Sequence, residues 1–363
     1  MSQSIDIAVI GATGTVGESI VQILEERDFP VGDLHLLASA ESAGSSVAYR
    51  GKNVRVREVD AFDFNKAKIA FFAAGPAVTR SYAARATGAG CAVIDLSGGL
   101  PVEQAPNVVP EVNAPVLASL TKPYQVACPS PAAAALSVVL GPLRALIDVQ
   151  RISVTACMAV SSLGREGVTE LARQTAELLN VRPLEPKVFD RQMAFNVLAQ
   201  VGKPDAQGHV PLEKRLVAEL RELLSLPLIK VGVTCIQVPV FFGDSLSVSV
   251  QTSAPVDVAA VAAALDAAQG VDLVEADDYP TPVGDAVGQD AVEGVLGKLP
   301  VLRPGLALAG GDAGHVASGI DPANEREAGQ VSEGPLRKGI RVEGLGRRHI
   351  GTHATNHHHV HWQ

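Results

Sequence analysis

The first third of the chain alternates short unbroken apolar runs with segments whose apolar residues recur at helical spacing. The runs are 5–10, 34–38, 69–73 and 92–95, and the helical segments are 16–27 and 78–87. Unbroken apolar runs are typical of parallel strands that are buried on both faces of a sheet. The pattern therefore predicts an α/β domain with a parallel sheet.

After residue 124 the pattern changes. Residues 124–128 read as one more strand, and Ser130 and Pro131 open a helix, because serine is a strong N-cap and proline is tolerated at the first helical position. Longer alternating strands then follow at 151–158, 231–240 and 245–251, with helices at 164–179, 211–224 and 256–269. Strands with helices segregated between them predict an α+β domain built on a mostly antiparallel sheet.

The organisation that follows is two domains and a tail. Residues 1–130 are interpreted as the first domain, residues 131–329 as the second, and residues 330–350 are a candidate for completing the first. The tail is residues 350–363, and six of the nine histidines lie between His349 and His361. Opportunistic metal binding there is weighed against a disordered tail or translation of an altered reading frame, and we favour the latter two readings. Whether the sequence after about residue 293 is native is left open.

Composition narrows the class of protein. The 363 residues are 47% hydrophobic and 19% charged, and the net charge of −9 argues against a nucleic-acid or anionic-membrane surface. No signal peptide and no apolar run of membrane-spanning length is apparent. Four scattered cysteines, and no metal-ligand spacing, favour reduced thiols in the cytoplasm and no metal site.

A glycine-rich turn joins the first strand to the first helix. Its spacing, Gly11-x-x-Gly14-x-x-Gly17, allows a backbone to approach a pyrophosphate at a helix N-terminus. Gly75 ends a later strand and would line the same crevice. The alternative is that these glycines only permit a tight turn and close helix packing. The turn favours a Rossmann-type NAD(P)-binding domain.

Three further stretches, 108–113, 195–197 and 235–245, complete a resemblance to the aspartate-semialdehyde dehydrogenase family, which extends over roughly residues 4–293. The resemblance implies a second domain like the C-terminal domain of glyceraldehyde-3-phosphate dehydrogenase, which serves dimerisation and catalysis. It also implies a homodimer, a small-molecule ligand and a reaction in amino-acid biosynthesis that uses NAD or NADP. In this family a cysteine thiolate attacks the acyl carbon, a histidine transfers protons, and arginines hold the substrate.

Aligned with the family motifs, the catalytic positions have changed. The cysteine position is Pro131, the histidine position is Asp244, and the two arginine positions are Gln237 and Pro101. A family glutamine becomes Met158, and a family lysine becomes Arg215, which could equally be a solvated helix charge. We therefore predict no catalytic residue. Cys128, three residues early at a strand end, is a weak candidate for a displaced nucleophile, and an aspartate with a pKa near 4 is a poor proton carrier at neutral pH.

The second strand leads into a segment where family members often carry an arginine for the 2′-phosphate of NADP. Here that residue is Glu41, which favours NAD over NADP, unless it is only a solvated loop charge. The candidate cofactor-binding residues are Gly11, Thr13, Gly14, Thr15, Val16, Ser39, Glu41 and Gly75.

The preferred hypothesis is a paralogue that binds NAD(P) and dimerises but has lost the acyl-enzyme residues. Two alternatives stay open. One is an active semialdehyde dehydrogenase with a displaced nucleophile or with cofactor-only hydride transfer. The other is a non-catalytic partner of an active homologue.

Overall fold

The computed structural model of the chain describes residues 4–274, 279–283 and 299–302, the last four by their backbone. The His-rich tail and the segment 330–350, for which predictions were made above, lie outside these residues. In the described part no helix is both long and apolar enough to cross a membrane.

The first half of the described chain forms one large sheet. Its strands are β1 (Ile5–Ile10), β2 (Val31–Ala38), β3 (Ser46–Tyr49), β4 (Lys52–Glu58), β5 (Ile69–Phe72), β6 (Ala92–Asp95) and β7 (Gln125–Ala127), and its helices are α1 (Thr15–Glu26), α2 (Pro76–Gly88) and α3 (Pro110–Asn113). The strand order is β3-β4-β2-β1-β5-β6-β7, with every neighbouring pair parallel except β3 and β4.

Both faces of this sheet are buried. Ile7 and Val9 belong to a core cluster that includes α1, whereas Ala8 and Ile10 belong to a second cluster that includes α2. Successive residues of a strand point to opposite faces, so the two clusters lie on the two sides of the sheet. The predicted fold class, α/β with a Rossmann-type sheet, is confirmed.

The second half contains a smaller sheet. The elements of this half are α4 (Pro131–Leu140), β8 (Val149–Met158), α5 (Gly164–Leu179), α6 (Pro211–Leu223), β9 (Lys230–Gln237), β10 (Ser245–Thr252), α7 (Val258–Asp266), β11 (Val271–Val274) and β12 (Leu299–Leu302). The order is β10-β8-β9, with β10 antiparallel and β9 parallel to β8.

The expectation of a mostly antiparallel sheet is therefore wrong for the described strands. The chain returns from β8 to β9 through α5 and α6, and such a long crossover allows two strands to run in the same direction. The face of this sheet that carries Ile152 packs against α4 and α6, where Leu136, Leu216 and Leu220 join the same core cluster. Through these contacts α4 and α6 cover one face of the smaller sheet.

Candidate functional site

At two of the three glycines in the turn after β1, a side chain would clash with neighbouring backbone atoms. Gly11 has a φ of +87°, and a Cβ there would lie 2.8 Å from the backbone of Ala73. A Cβ on Gly17 would lie 2.1 Å from the carbonyl oxygen of Gly11. These two positions fit the alternative in which glycine only permits a tight turn and close packing.

Gly14 differs from its neighbours in the turn. It has an ordinary φ of −83° at the N-cap of α1, and the nearest atom to an added Cβ, the Gly11 oxygen, lies at 3.4 Å. The residue is exposed. Since neither backbone strain nor internal packing requires glycine here, the bare backbone leaves room on the outside, as close approach of a ligand to the helix N-terminus requires.

The other predicted cofactor residues lie at the same sheet edge. Ser39 and Glu41 follow β2 and are exposed, and Gly75, with a φ of +84°, is the N-cap of α2 and lies three residues after the end of β5. Because β2, β1 and β5 are adjacent and parallel, their carboxyl ends meet at one edge. The structure thus brings together, along this edge, all eight residues: Gly11, Thr13, Gly14, Thr15, Val16, Ser39, Glu41 and Gly75.

The start of α4 differs in one respect from the expectation. As predicted, Pro131 is the first helical residue and Ser130 occupies the N-cap, and the structure shows that Pro131 is exposed. The Ser130 hydroxyl, however, makes no capping hydrogen bond. It donates to Glu219 Oε2 at 2.5 Å, and the Ser130 N–H donates to the same oxygen at 3.0 Å. The buried carboxylate of Glu219 requires donors, and it draws the hydroxyl away from the helix.

Arg215 lies one helical turn before Glu219 on α6. Its Nε donates to Glu219 Oε1 at 2.6 Å, and its Nη2 approaches the carbonyl oxygen of Cys128 at 3.5 Å. A Cβ on Gly98 would lie 2.6 Å from the guanidinium carbon. Arg215 is therefore paired and lies against the turns that follow β6 and β7, and its reading as a solvated helix charge does not hold.

Asp95, the last residue of β6, organises the loop that carries Pro101. One carboxylate oxygen accepts from the N–H and the hydroxyl of Ser97 at 2.8 and 2.6 Å, and the other accepts from the Leu100 N–H at 2.9 Å. The side chain is fully buried. Sequence reasoning missed this residue, although Asp95 followed by Ser97 and two glycines is a signal for such a turn.

Gln237 and Asp244 both bind the backbone at the end of β8. The Gln237 Nε2 donates to the carbonyl oxygens of Met158 and Ala159, each at 2.8 Å. The Ala159 N–H donates to Asp244 Oδ1 at 2.8 Å. Gln237 and Met158 are buried. The two residues together hold a single peptide segment in place.

Asp244 differs from the expected free carboxylate with a pKa near 4. Although the residue as a whole is exposed, its carboxyl group lies among enough protein atoms that burial raises its pKa, and the hydrogen bond from Ala159 acts in the opposite direction.

Cys128 lies beyond β7, with its N–H bonded to the Asp95 carbonyl oxygen at 2.8 Å. Burial raises the pKa of its thiol to about 11, the negative charge of Asp95 adds to the rise, and Arg215 opposes it. The thiol is therefore protonated at neutral pH. A protonated thiol is a poor nucleophile, so the environment of Cys128 does not activate it.

Two family models match the chain. The semialdehyde dehydrogenase NAD-binding domain matches residues 6–120, and the semialdehyde dehydrogenase dimerisation domain matches residues 140–302.

Similar proteins agree with these matches. A USG-1 protein homolog of Azotobacter vinelandii is 54% identical over 93% of this chain and 95% of its own length. Aspartate-semialdehyde dehydrogenase 2 of Vibrio cholerae is 39% identical over 80% of this chain and 87% of its own. The solved structure of a probable aspartate-semialdehyde dehydrogenase from Pseudomonas aeruginosa is 54% identical, with a TM-score of 0.80 over 85% of this chain and 90% of that one.

Proposed function

Because the chain belongs to the aspartate-semialdehyde dehydrogenase family, we propose that it is a member that binds a nicotinamide dinucleotide and dimerises but does not perform the acyl-enzyme chemistry. The observation that carries this proposal is Pro131, the first residue of α4, where the family motif has its cysteine. A helix N-terminus lowers the pKa of a thiol that is placed there. The proline offers no thiol and no N–H at that point, so the step that forms a thioester has no nucleophile.

The other catalytic positions support the same proposal. The side chains of Gln237 and Asp244 are hydrogen-bonded to the backbone of Met158 and Ala159. Neither side chain supplies an imidazole or a guanidinium to a substrate. Groups that act as a unit lose their value together once the nucleophile is gone. The set of changes therefore fits a pocket that has been remodelled as a whole.

The alternative with Cys128 as a displaced nucleophile is disfavoured. At neutral pH a thiol with a pKa of about 11 is almost entirely protonated. The one cation that lowers this pKa, Arg215, is itself paired with Glu219 at 2.6 Å. No second cation near Cys128 is seen among the described residues to offset burial.

For the cofactor, we propose that the diphosphate binds at the turn from Gly11 to Gly14, where the bare backbone of Gly14 leaves room. Glu41, exposed after β2, would accept hydrogen bonds from a free ribose hydroxyl and repel a 2′-phosphate, so we propose NAD rather than NADP. When bound, such a cofactor exchanges a hydride with a carbonyl carbon. The chain's own contribution at this edge is to bind and orient it.

The domain division proposed from the sequence, residues 1–130 and 131–329, places the boundary just before α4. The family-model matches, 6–120 and 140–302, support a boundary in this region. The dimerisation-domain match supports a homodimer, which light scattering after size-exclusion chromatography would test. The four free cysteines support the proposed cytoplasmic location, which cell fractionation would test.

A steady-state assay tests the catalytic part of the proposal. Purified protein is mixed with aspartate semialdehyde, phosphate and either NAD or NADP, and reduction of the cofactor is followed. We expect no rate above that of the protein-free blank. Turnover that the Cys128→Ser variant abolishes would overturn the proposal in favour of a displaced nucleophile.

A further inference from the structure

The two halves of the described chain make contact at two places, which we call the first and the second seam and which differ in burial. At the first seam α6 is held by buried or part-buried groups: Glu219 accepts from Ser130, and Glu222 accepts from the N–H and the side-chain amide of Asn107 at 2.8 and 2.6 Å. At the second seam Arg165 Nη2 lies 2.5 Å from Glu18 Oε2, with side chains that are 67% and 42% exposed. The first seam therefore consists of buried or part-buried hydrogen bonds, whereas the second is a solvent-exposed ion pair.

The second seam lies next to the glycine turn. Glu18 is in the first turn of α1, and its N–H donates to the carbonyl oxygen of Gly14 at 2.9 Å. Arg165 is in the first turn of α5, directly after Gly164, which has a φ of +68°. Because Glu18 belongs to the first turn of α1, the ion pair places a guanidinium from the second half beside that turn.

The charges at this point have opposite consequences for an anion. The Glu18 carboxylate would repel a diphosphate at the start of α1, whereas the Arg165 guanidinium would attract it. An exposed ion pair contributes little free energy, so Arg165 can leave Glu18 or share its donors at small cost. A guanidinium has five N–H donors and can serve two oxyanions at once.

We propose that Arg165 binds the diphosphate of a dinucleotide at the Gly11–Gly14 turn, with Glu18 as its counter-ion when that site holds no ligand. This inference rests on the proposed dinucleotide binding and adds to it a residue from the other half of the chain. The second half then helps to select a ligand that carries a diphosphate, not only to dimerise.

A rival reading is that the pair is only a latch between the two halves. The two readings predict opposite effects of Glu18→Gln on the affinity for NAD. If Arg165 acts on the diphosphate, Arg165→Gln weakens NAD binding and Glu18→Gln strengthens it, because the repelling charge is removed. If the pair is a latch, both substitutions break it and both weaken binding.

The experiment is a calorimetric titration of wild type, R165Q and E18Q with NAD at two salt concentrations. We expect the Kd of R165Q to rise about three- to tenfold and that of E18Q to fall about threefold. The salt dependence of the Kd should be smaller in R165Q than in wild type, because a cation that contacts the diphosphate has been removed.

Arg50→Gln is the matched control. Arg50 pairs with Asp28 at 2.6 Å, at the other end of α1, so R50Q removes the same charge from an ion pair far from the turn. We expect its Kd to equal that of wild type. The melting temperatures of all variants without NAD should also match, since these side chains are exposed.

The outcomes separate the two proposals. NAD binding that R165Q leaves unchanged, or weakening by R165Q and E18Q alike, overturns the assignment of Arg165 alone. A wild-type protein that binds neither NAD nor NADP overturns the proposed function, and this inference with it.

Discussion

The side-chain amide of Gln237 donates to the main-chain carbonyl of Met158 across two parallel strands, at 2.8 Å, and the same nitrogen donates to the Ala159 carbonyl. Gln237 is only 3% exposed. At the position where the family motif has a substrate-binding arginine, this chain therefore has a glutamine whose side-chain amide donates hydrogen bonds to the protein backbone. The consequence for stability is open to measurement.

Gln237→Ala should destabilise the fold by about 1–3 kcal/mol, because it removes two buried hydrogen bonds to the Met158 and Ala159 carbonyl oxygens, each of which keeps only one backbone donor. Urea unfolding at neutral pH measures the free energy of unfolding. Gln251→Ala, at an exposed position on β10, is the control and should change it by less than about 0.5 kcal/mol. Equal effects of the two substitutions would mean that the Gln237 hydrogen bonds contribute nothing measurable.

Asp244→Asn should change the pH dependence of stability. The folded pKa of Asp244 is raised above 3.8, so its contribution is fully present below that pH and is lost as pH rises through the folded pKa. Asparagine removes this loss and can still accept from the Ala159 N–H. The stability of the variant relative to wild type should therefore grow as pH rises from about 4 and then level off. A difference that is constant with pH, or that shrinks, would contradict the raised pKa.

Two glycine substitutions separate packing from ligand binding in the turn. Gly17→Ala should cost about 1–3 kcal/mol, because its Cβ would overlap the Gly11 carbonyl oxygen. Gly14→Ser should leave the melting temperature nearly unchanged, since serine is a good N-cap and has room there, but should weaken NAD binding roughly tenfold or more. Thermal unfolding and calorimetry give both readouts. Full NAD affinity in the Gly14→Ser variant would indicate that the turn is only scaffold.

Glu41→Arg should shift the cofactor preference towards NADP. An arginine at the end of β2 can pair with a 2′-phosphate that the carboxylate repels, so the ratio of the two Kd values should move roughly tenfold or more. Glu41→Gln removes the charge alone and should produce a smaller shift. If wild type already prefers NADP, the interpretation of Glu41 is wrong.

The regular elements could be predicted because their apolar patterns are local. β1 and β6 were predicted at their observed bounds, and α5 at 164–179, since unbroken apolar runs and helical spacing are read directly from neighbouring residues. The short antiparallel pair of β3 and β4 was missed. Its residues are largely exposed, so they lack the apolar signal on which the prediction relied.

The contacts of the site could be predicted only in part. That Pro131 opens α4 followed from local helix chemistry. That the Ser130 hydroxyl turns to Glu219, 89 residues away in sequence, did not, because it depends on where α6 packs. The raised pKa of Asp244 likewise comes from burial, which no single residue or its neighbours in sequence specify.

The most direct test of the central claim is a single-turnover experiment without phosphate, because an acyl-enzyme would then have no acceptor and would accumulate. Protein in excess is mixed with NAD or NADP and aspartate semialdehyde, and reduced cofactor and intact protein mass are measured together. We predict no cofactor reduction and no gain in mass. One equivalent of reduced cofactor, with an acyl group found on the peptide that contains Cys128, would contradict the account.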